Sequence, residues 1–516
     1  RSQERIRAVA HGDGRMIAGL RWRARRWFWD RFTIFKYDHN HPTPVPAPVS
    51  DRPVGLTSLA SHYRHIHIER ALVADRIPRD ERQTVKRVFS RLQAALYRVV
   101  PAQQRGLPPL DADPRVALDH AYTAAHRRRF PAPTRPGALD HLDLGTLAVS
   151  SPFACYVAAN GDGTFGWDLR LLDDFEYHRG LRPLGAVVTF ETKADEPGLG
   201  AIRIDCDAGS CTPSDTDWDL ARRLALSAAS THLSLVRHFG WVHLACGGPL
   251  AAVTRNLLPP DHPVRRLVWP HVYATQYSND LITLDQLTSG GDFESIFSFT
   301  HDGVSALVDA TIDAFDFGVV DPDVDASRRG LAGLATPSID NRRQHHAVFL
   351  AHARRYLERY YDDDRIAADA AVQSWRSELT KRMRGVERVA GETVTIDGTA
   401  RLVAGIIQLA TVEHEILGSG MWDYQLWSDA VPARVPINGS SAPLDVYQRL
   451  VNANFNLNVH RTALLSDFSP LALDANGADA FRTFRADLLA LQIALDADPA
   501  APWRMEPKRL KANINA

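Results

Sequence analysis

The sequence predicts a mostly α protein: one large helical domain with a minor β subregion near 150–206. Three observations lead there. Long stretches after residue 217 carry apolar residues at the i, i+3, i+4, i+7 spacing of helices. Only two segments, 186–192 and 201–205, read as strands, and both fall in that one region. The composition, 45% hydrophobic and 23% charged over 516 residues, is that of a globular chain able to bury a sizeable core.

Composition also excludes some functions. With 60 Lys+Arg against 61 Asp+Glu the net charge is −1, which argues against a protein whose main work is gripping nucleic acid. No run of about 18 apolar residues exists, so no transmembrane helix is expected; the best stretch, 402–412, is short and contains Gln408. Four cysteines make no disulfide framework, although Cys206 and Cys211 are close enough in sequence to bridge. The chain starts at Arg1, so a leader can have preceded it, and the compartment stays open between cytoplasmic and secreted or periplasmic.

In chain order, residues 1–36 carry ten Lys or Arg against three acidic residues, net +7, which leaves −8 for the remainder. Arginines alternate with Trp22, Trp27, Phe28 and Trp29. This composition suits a peripheral membrane contact through 21–37, and equally an arm that packs its aromatics on an acidic body. Prolines at 42, 44, 46 and 48 make an extended connector, dividing an arm and linker (1–50) from a helical domain (51–516). Val85, Val88, Phe89, Leu92, Leu96 and Val99 then give an amphipathic helix with Asp80 near its N-cap, stopped by Pro101. Further helices are expected at 217–244, 347–361, 366–383, 400–417 and 480–495.

The chemistry centres on His232, His238 and His243, in an otherwise apolar segment. On a regular α-helix residues i and i+5 stand about 140° apart around the axis, so His238 and His243 could not share an ion. A π-bulge brings them to one side, and Gly240 with Gly247-Gly248 would ease it. The plainer alternative is two or three core histidines, each satisfied by a hydrogen bond.

Downstream stands His262-Pro-Val-Arg-Arg-Leu-Val-Trp-Pro-His271, then Asn279. With His238-x4-His243 upstream, this resembles the central helix region of the lipoxygenase family. Phe315-Asp-Phe-Gly with Arg328-Arg329-Gly330 resembles another family segment, as do 349–361 with Asp369 and Trp375, the helix 404–417 with Glu413-His414, and the tail 506–516. The resemblance covers about 150–516. It implies that His238, His243 and His414 are imidazole ligands and the catalytic metal centre, and that the Ala516 main-chain carboxylate is a further ligand. Such a set suits non-haem iron, or manganese. His232 and His262 are left to structural roles.

Several positions depart from the family pattern. Gly418 stands where a weak side-chain ligand is usual, so water would take that position; Met421 and Leu233 replace glutamines at the substrate pocket. Ser289 falls where an Ala or Gly influences oxygen addition. The family's N-terminal β-sandwich has no counterpart, and a compact bacterial type is the nearest likeness. The implied activity is a dioxygenase adding O2 to polyunsaturated fatty acids, giving the hydroperoxides from which oxylipins derive. The alternatives are the same fold with changed chemistry (a hydroperoxide isomerase, or an oxygenase of a non-lipid metabolite) and a non-enzymatic lipid-binding relative.

Overall fold

The computed structural model describes residues 44–100, 135–193, 198–437, 462–498 and 503–514, with 20–21, 23–25, 27–29 and 31–32; the structural statements below concern these. Strands β1 (Leu56–Ser58) and β2 (Leu72–Ala74) pair antiparallel ahead of helix α1 (Thr84–Val99). Helix α2 (Leu144–Ser150) begins where Asp143 accepts the Thr146 N–H. An antiparallel meander follows, in spatial order β3 (Ala158–Ala159), β4 (Phe165–Asp168), β5 (Val187–Thr192), β6 (Leu199–Cys206), β7 (Gly209–Cys211). Its inner face is paired in register, Trp167 to Val188 and Val188 to Ile204, all three buried. The two expected strands are β5 and β6. The other five, including β1 and β2 outside the expected region, escape notice because runs of two to four residues, two of them with a glycine, carry no usable alternation.

Three consecutive helical segments form the central rod. Helix α3 (Trp218–His232) passes without a break into a π-helix (Leu233–Gly247) and then into α4 (Gly248–Leu257). Buried residues lie all around it, as expected of a helix enclosed on every side by protein. The expected helix 217–244 therefore runs further. Its distortion is a whole π segment, not a single bulge.

Around the rod lie α5 (Pro263–Val272) and α6 (Thr275–Asp285), separated by Ala274 at φ 63°. Beyond them come α7 (Pro337–Leu357), α8 (Ala370–Arg382), α9 (Ile396–Gln408), α10 (His414–Gly420) and α11 (Ala475–Asp496). A second π segment, Leu409–Glu413, joins α9 to α10. The expected helix 366–383 is broken at Asp369, whose carboxylate takes the Ala371 and Val372 N–H groups and starts α8. Residues 503–514 run back into the core, where Ala512 N–H donates to Thr462 O at 2.9 Å and Ala512 and Ile514 are fully buried.

Helix α1 forms as expected but begins later and turns much of its apolar stripe outward, with Phe89 and Leu96 half-buried. Asp80 is not its cap: it pairs at 2.9 Å with the buried Arg255, which also holds Glu81, and the helix starts at Thr84. An amphipathic helix ordinarily turns its apolar stripe inward. Here Ser90 and Tyr97 face inward, donating to Asp285 and Asp292, while Val85, Val88, Leu92 and Val99 are exposed. Trp29 stacks on Tyr97, ring centroids 4.8 Å apart.

Gly248, at the start of α4, sits where a Cβ would come within 2.7 Å of Leu72 O on β2. Gly248→Ala is therefore expected to cost about 1–3 kcal/mol of stability, read by chemical denaturation, because two backbones must separate. A variant as stable as the parent would show that this contact yields freely.

Candidate metal centre

In a π-helix each N–H donates to the carbonyl five residues earlier, so residues i and i+5 share a side. The Gly248 N–H donates to His243 O, five residues back, at the end of the π segment. His238 and His243 accordingly project together, with their Nε2 atoms 3.1 Å apart. His414, the first residue after the second π segment, meets them; its ring centroid is 4.8 Å from that of His238 and 5.1 Å from that of His243. One ligating nitrogen from each lies within 4.8 Å of the others, and all three residues are buried.

Neighbours set which nitrogen His243 and His414 present. His243 Nδ1 lies 3.2 Å from Asn279 Oδ1, while Asn279 Nδ2 donates to His243 O at 2.8 Å. The second bond orients the amide, so the first must run from Nδ1–H to the oxygen, leaving the lone pair on His243 Nε2. His414 Nδ1 lies 3.0 Å from Glu415 Oε1, which places its lone pair on Nε2 too. Lys511 Nζ holds the other oxygen of Glu415 at 3.0 Å, so this buried chain ties His414 to the C-terminal tail. Burial, with the His414 and His243 rings close by, holds His238 well below the ordinary imidazole range, in the neutral form that ligates metals.

This arrangement fits an ion. Two nitrogens bonded to one first-row metal at about 2.1 Å and roughly 90° stand about 3 Å apart. That matches the His238–His243 separation. The donors presented to an ion are imidazoles, backed by an amide and a carboxylate–ammonium pair as metal histidines usually are. His271 reinforces the frame: its Nδ1 donates to Ala512 O at 2.7 Å, and burial pushes its pKa down to about 4, so it stays neutral. Arg342 pairs with both Glu413 and Asp325, anchoring the residue before His414 to α7. Burial alone would raise Asp325, but Arg342 and Arg329 outweigh it and hold the carboxyl below its usual range.

The remaining expected residues are placed unevenly. Leu233 lines a cavity of about 20 Å³ beside His238, with Arg237, Trp241, Val242, Leu409 and Ile416. Ser289 is not brought to it: the residue is exposed, in a turn that Gly290 closes at φ +76°. Gly418 lies on α10 and Met421 begins a further π segment, but their side chains lie outside the described residues, as does Ala516 altogether. His232 packs in the core with Nδ1 3.2 Å from Tyr156 OH, and burial, then Arg237, lowers its pKa to about 3. His262 caps α5 through the Val264 N–H and faces Asp369 at 3.1 Å. Reasoning from sequence missed Glu415, Lys511 and the His271–Ala512 contact. An acid beside a histidine and a lysine 96 positions later leave no spacing signal.

No protein-family model matches the chain. Among curated proteins it is similar to lipoxygenase 3, chloroplastic, of Arabidopsis thaliana, 28% identical over 238 residues, 43% of this chain and 25% of that protein. It is also similar to hydroperoxide isomerase ALOXE3 of Homo sapiens, 24% identical over 264 residues, 49% of this chain and 36% of that protein. The matched stretch spans only about a quarter to a third of these relatives. Among solved structures, a deletion variant of a lipoxygenase superposes with TM-score 0.72 at 13% identity, over 90% of this chain and 79% of that one. Its anaerobic complex with arachidonate gives 0.70 at 14% over the same shares, and coral 8R-lipoxygenase gives 0.70 at 13%, over 89% and 78%. The chain has the fold of the lipoxygenase catalytic domain and is a lipoxygenase-like protein.

Proposed function

We propose that this protein is a non-haem iron dioxygenase that adds O2 to polyunsaturated fatty acids, with His238, His243 and His414 as imidazole ligands and the Ala516 carboxylate as a further one. The observation that carries this reading is the meeting of three buried imidazoles, two of them with tautomers set so that Nε2 faces the others. Manganese would fit the same donors. Bound there, the metal would supply one-electron oxidation of a bis-allylic carbon, making it reactive towards O2.

The chain's own residues do the rest. Asn279 holds His243 through both its ring and its carbonyl, and Glu415, charged against Lys511, holds His414. Leu233 and the apolar lining of the cavity keep bulk water from the imidazoles. Gly418 offers no side-chain ligand, so water would take that position. Ser289, exposed in its turn, is given no part.

A second reading, hydroperoxide isomerisation, rests on Leu233, Gly418 and Met421, which stand where the family usually has polar groups near the metal and substrate.

With linoleate, the metal-loaded protein is expected to consume oxygen and form a conjugated diene. Loss of a supplied hydroperoxide without oxygen uptake selects the isomerase instead. Neither reaction in metal-replete protein defeats both readings, and persistent failure to retain any metal points to a non-enzymatic relative. Elemental analysis is expected to find His238→Ala, His243→Ala and His414→Ala each without metal, whereas His262→Ala, a cap variant, keeps it. Full metal in the His414 variant would remove that residue from the ligand set. Glu415→Gln leaves a hydrogen-bond acceptor but no charge, and is expected to weaken metal affinity by about 10- to 100-fold, measured by chelator competition.

A further inference from the structure

Helix α1 turns four residues of its apolar stripe outward while Phe89 and Leu96 stay half-buried, and its neighbours keep it so. At about 100° per residue, Val85, Val88, Leu92 and Val99 fall within about 60° of one another around the axis. They are 60%, 59%, 46% and 78% exposed. The opposite side carries Ser90, Gln93 and Tyr97, tied to the buried Asp285 and Asp292. Rotating the helix to bury the valines would strand those carboxylates, so the outward stripe is locked in place. The helix has four cations in sequence (Lys86, Arg87, Arg91, Arg98) and no acidic residue; Arg87 is paired with Asp280 at 3.1 Å and Arg91 is exposed. Trp29 holds the N-terminal arm against Tyr97, and there Trp27 and Leu20 are each 58% exposed among exposed arginines.

We propose that the outer face of α1, with Trp27 of the arm, docks on an anionic lipid surface. Sixteen residues make a helix about 24 Å long, and one flanked by cations with its apolar stripe outward lies in the plane of an interface. Charge selects lipid over a second copy of this chain. Pairing two α1 faces would bring like charges together, with no acid from either helix, whereas each unpaired Lys or Arg near an anionic leaflet gains about 1 kcal/mol. Docking has a use. Arg87 and Arg91 of α1 wall a cavity of about 410 Å³ that reaches Asn279, the residue that orients His243. The lipid surface would lie against the wall of that cavity.

The test is co-sedimentation of the full chain with vesicles of phosphatidylcholine alone, or of phosphatidylcholine and phosphatidylglycerol at roughly two to one. It reads partition, not turnover, so it stands or fails separately from fatty-acid oxidation. Binding to the anionic vesicles is expected, weakening as salt rises, with affinity for the neutral ones lower by about tenfold or more. The double variant Val88→Glu, Leu92→Glu is expected to lose binding while keeping the parent melting temperature. Leu92→Trp, which keeps the stripe apolar, is expected to bind at least as well. The proposal is overturned if the parent does not sediment with anionic vesicles, if the glutamate pair binds as tightly, or if Leu92→Trp binds more weakly. A dimer that the glutamate pair dissociates, without vesicle binding, would give the face to a second copy instead.

Discussion

The site rests on one change of hydrogen-bond register. Over Leu233–Gly247 the rod's N–H groups reach back five residues where an α-helix reaches four. That register puts His238 and His243 on one side, and the rest of the architecture is arranged to hold it. Gly248, without a side chain, lets β2 and Asn279 approach the end of the distorted stretch. Asn279 then takes both the ring and the carbonyl of His243. Ala274, in the left-handed region, turns the chain between α5 and α6 so that one delivers His271 and the other Asn279. A local strain of this kind, at a non-glycine residue, persists only where surrounding contacts over-determine it.

The second π segment follows the same logic. It ends at Glu413, whose carboxylate is held by Arg342, and the next residue is His414. The two distorted stretches face each other inside a core of leucine, valine and isoleucine, where charge is costly and neutral imidazole is favoured. The buried charges that do occur come paired: Glu415 with Lys511, and Arg342 with Glu413 and Asp325. These pairs contribute orientation more than stability, since desolvation offsets most of their attraction.

Much of this was legible beforehand for definite reasons. The i, i+5 spacing of His238 and His243 on an apolar helix had only one geometry in which both could point the same way, and the glycines after it marked where the backbone could yield. The long amphipathic helices announced themselves by period. What could not be read were contacts with no period: Glu415 with Lys511, His271 with Ala512, Arg342 with Asp325. Strands of two to four residues were equally silent. Helix α1 was misleading in a more instructive way, because its pattern marks a stripe but not the direction in which the stripe points.

From the amino-acid sequence alone came the helical class, the two principal strands and the distorted histidine helix, because each depends on spacing along one segment; the set of three histidines came from the resemblance to the lipoxygenase family. The tertiary structure decided the tautomers of His243 and His414, the anchoring of the tail, the exposure of Ser289 and the outward face of α1. Those depend on which groups meet across the core. A buried carboxylate such as Asp285 or Asp292 must be satisfied by whatever helix lies against it, and that requirement, stronger than the exposure of a few valines, sets how α1 is turned.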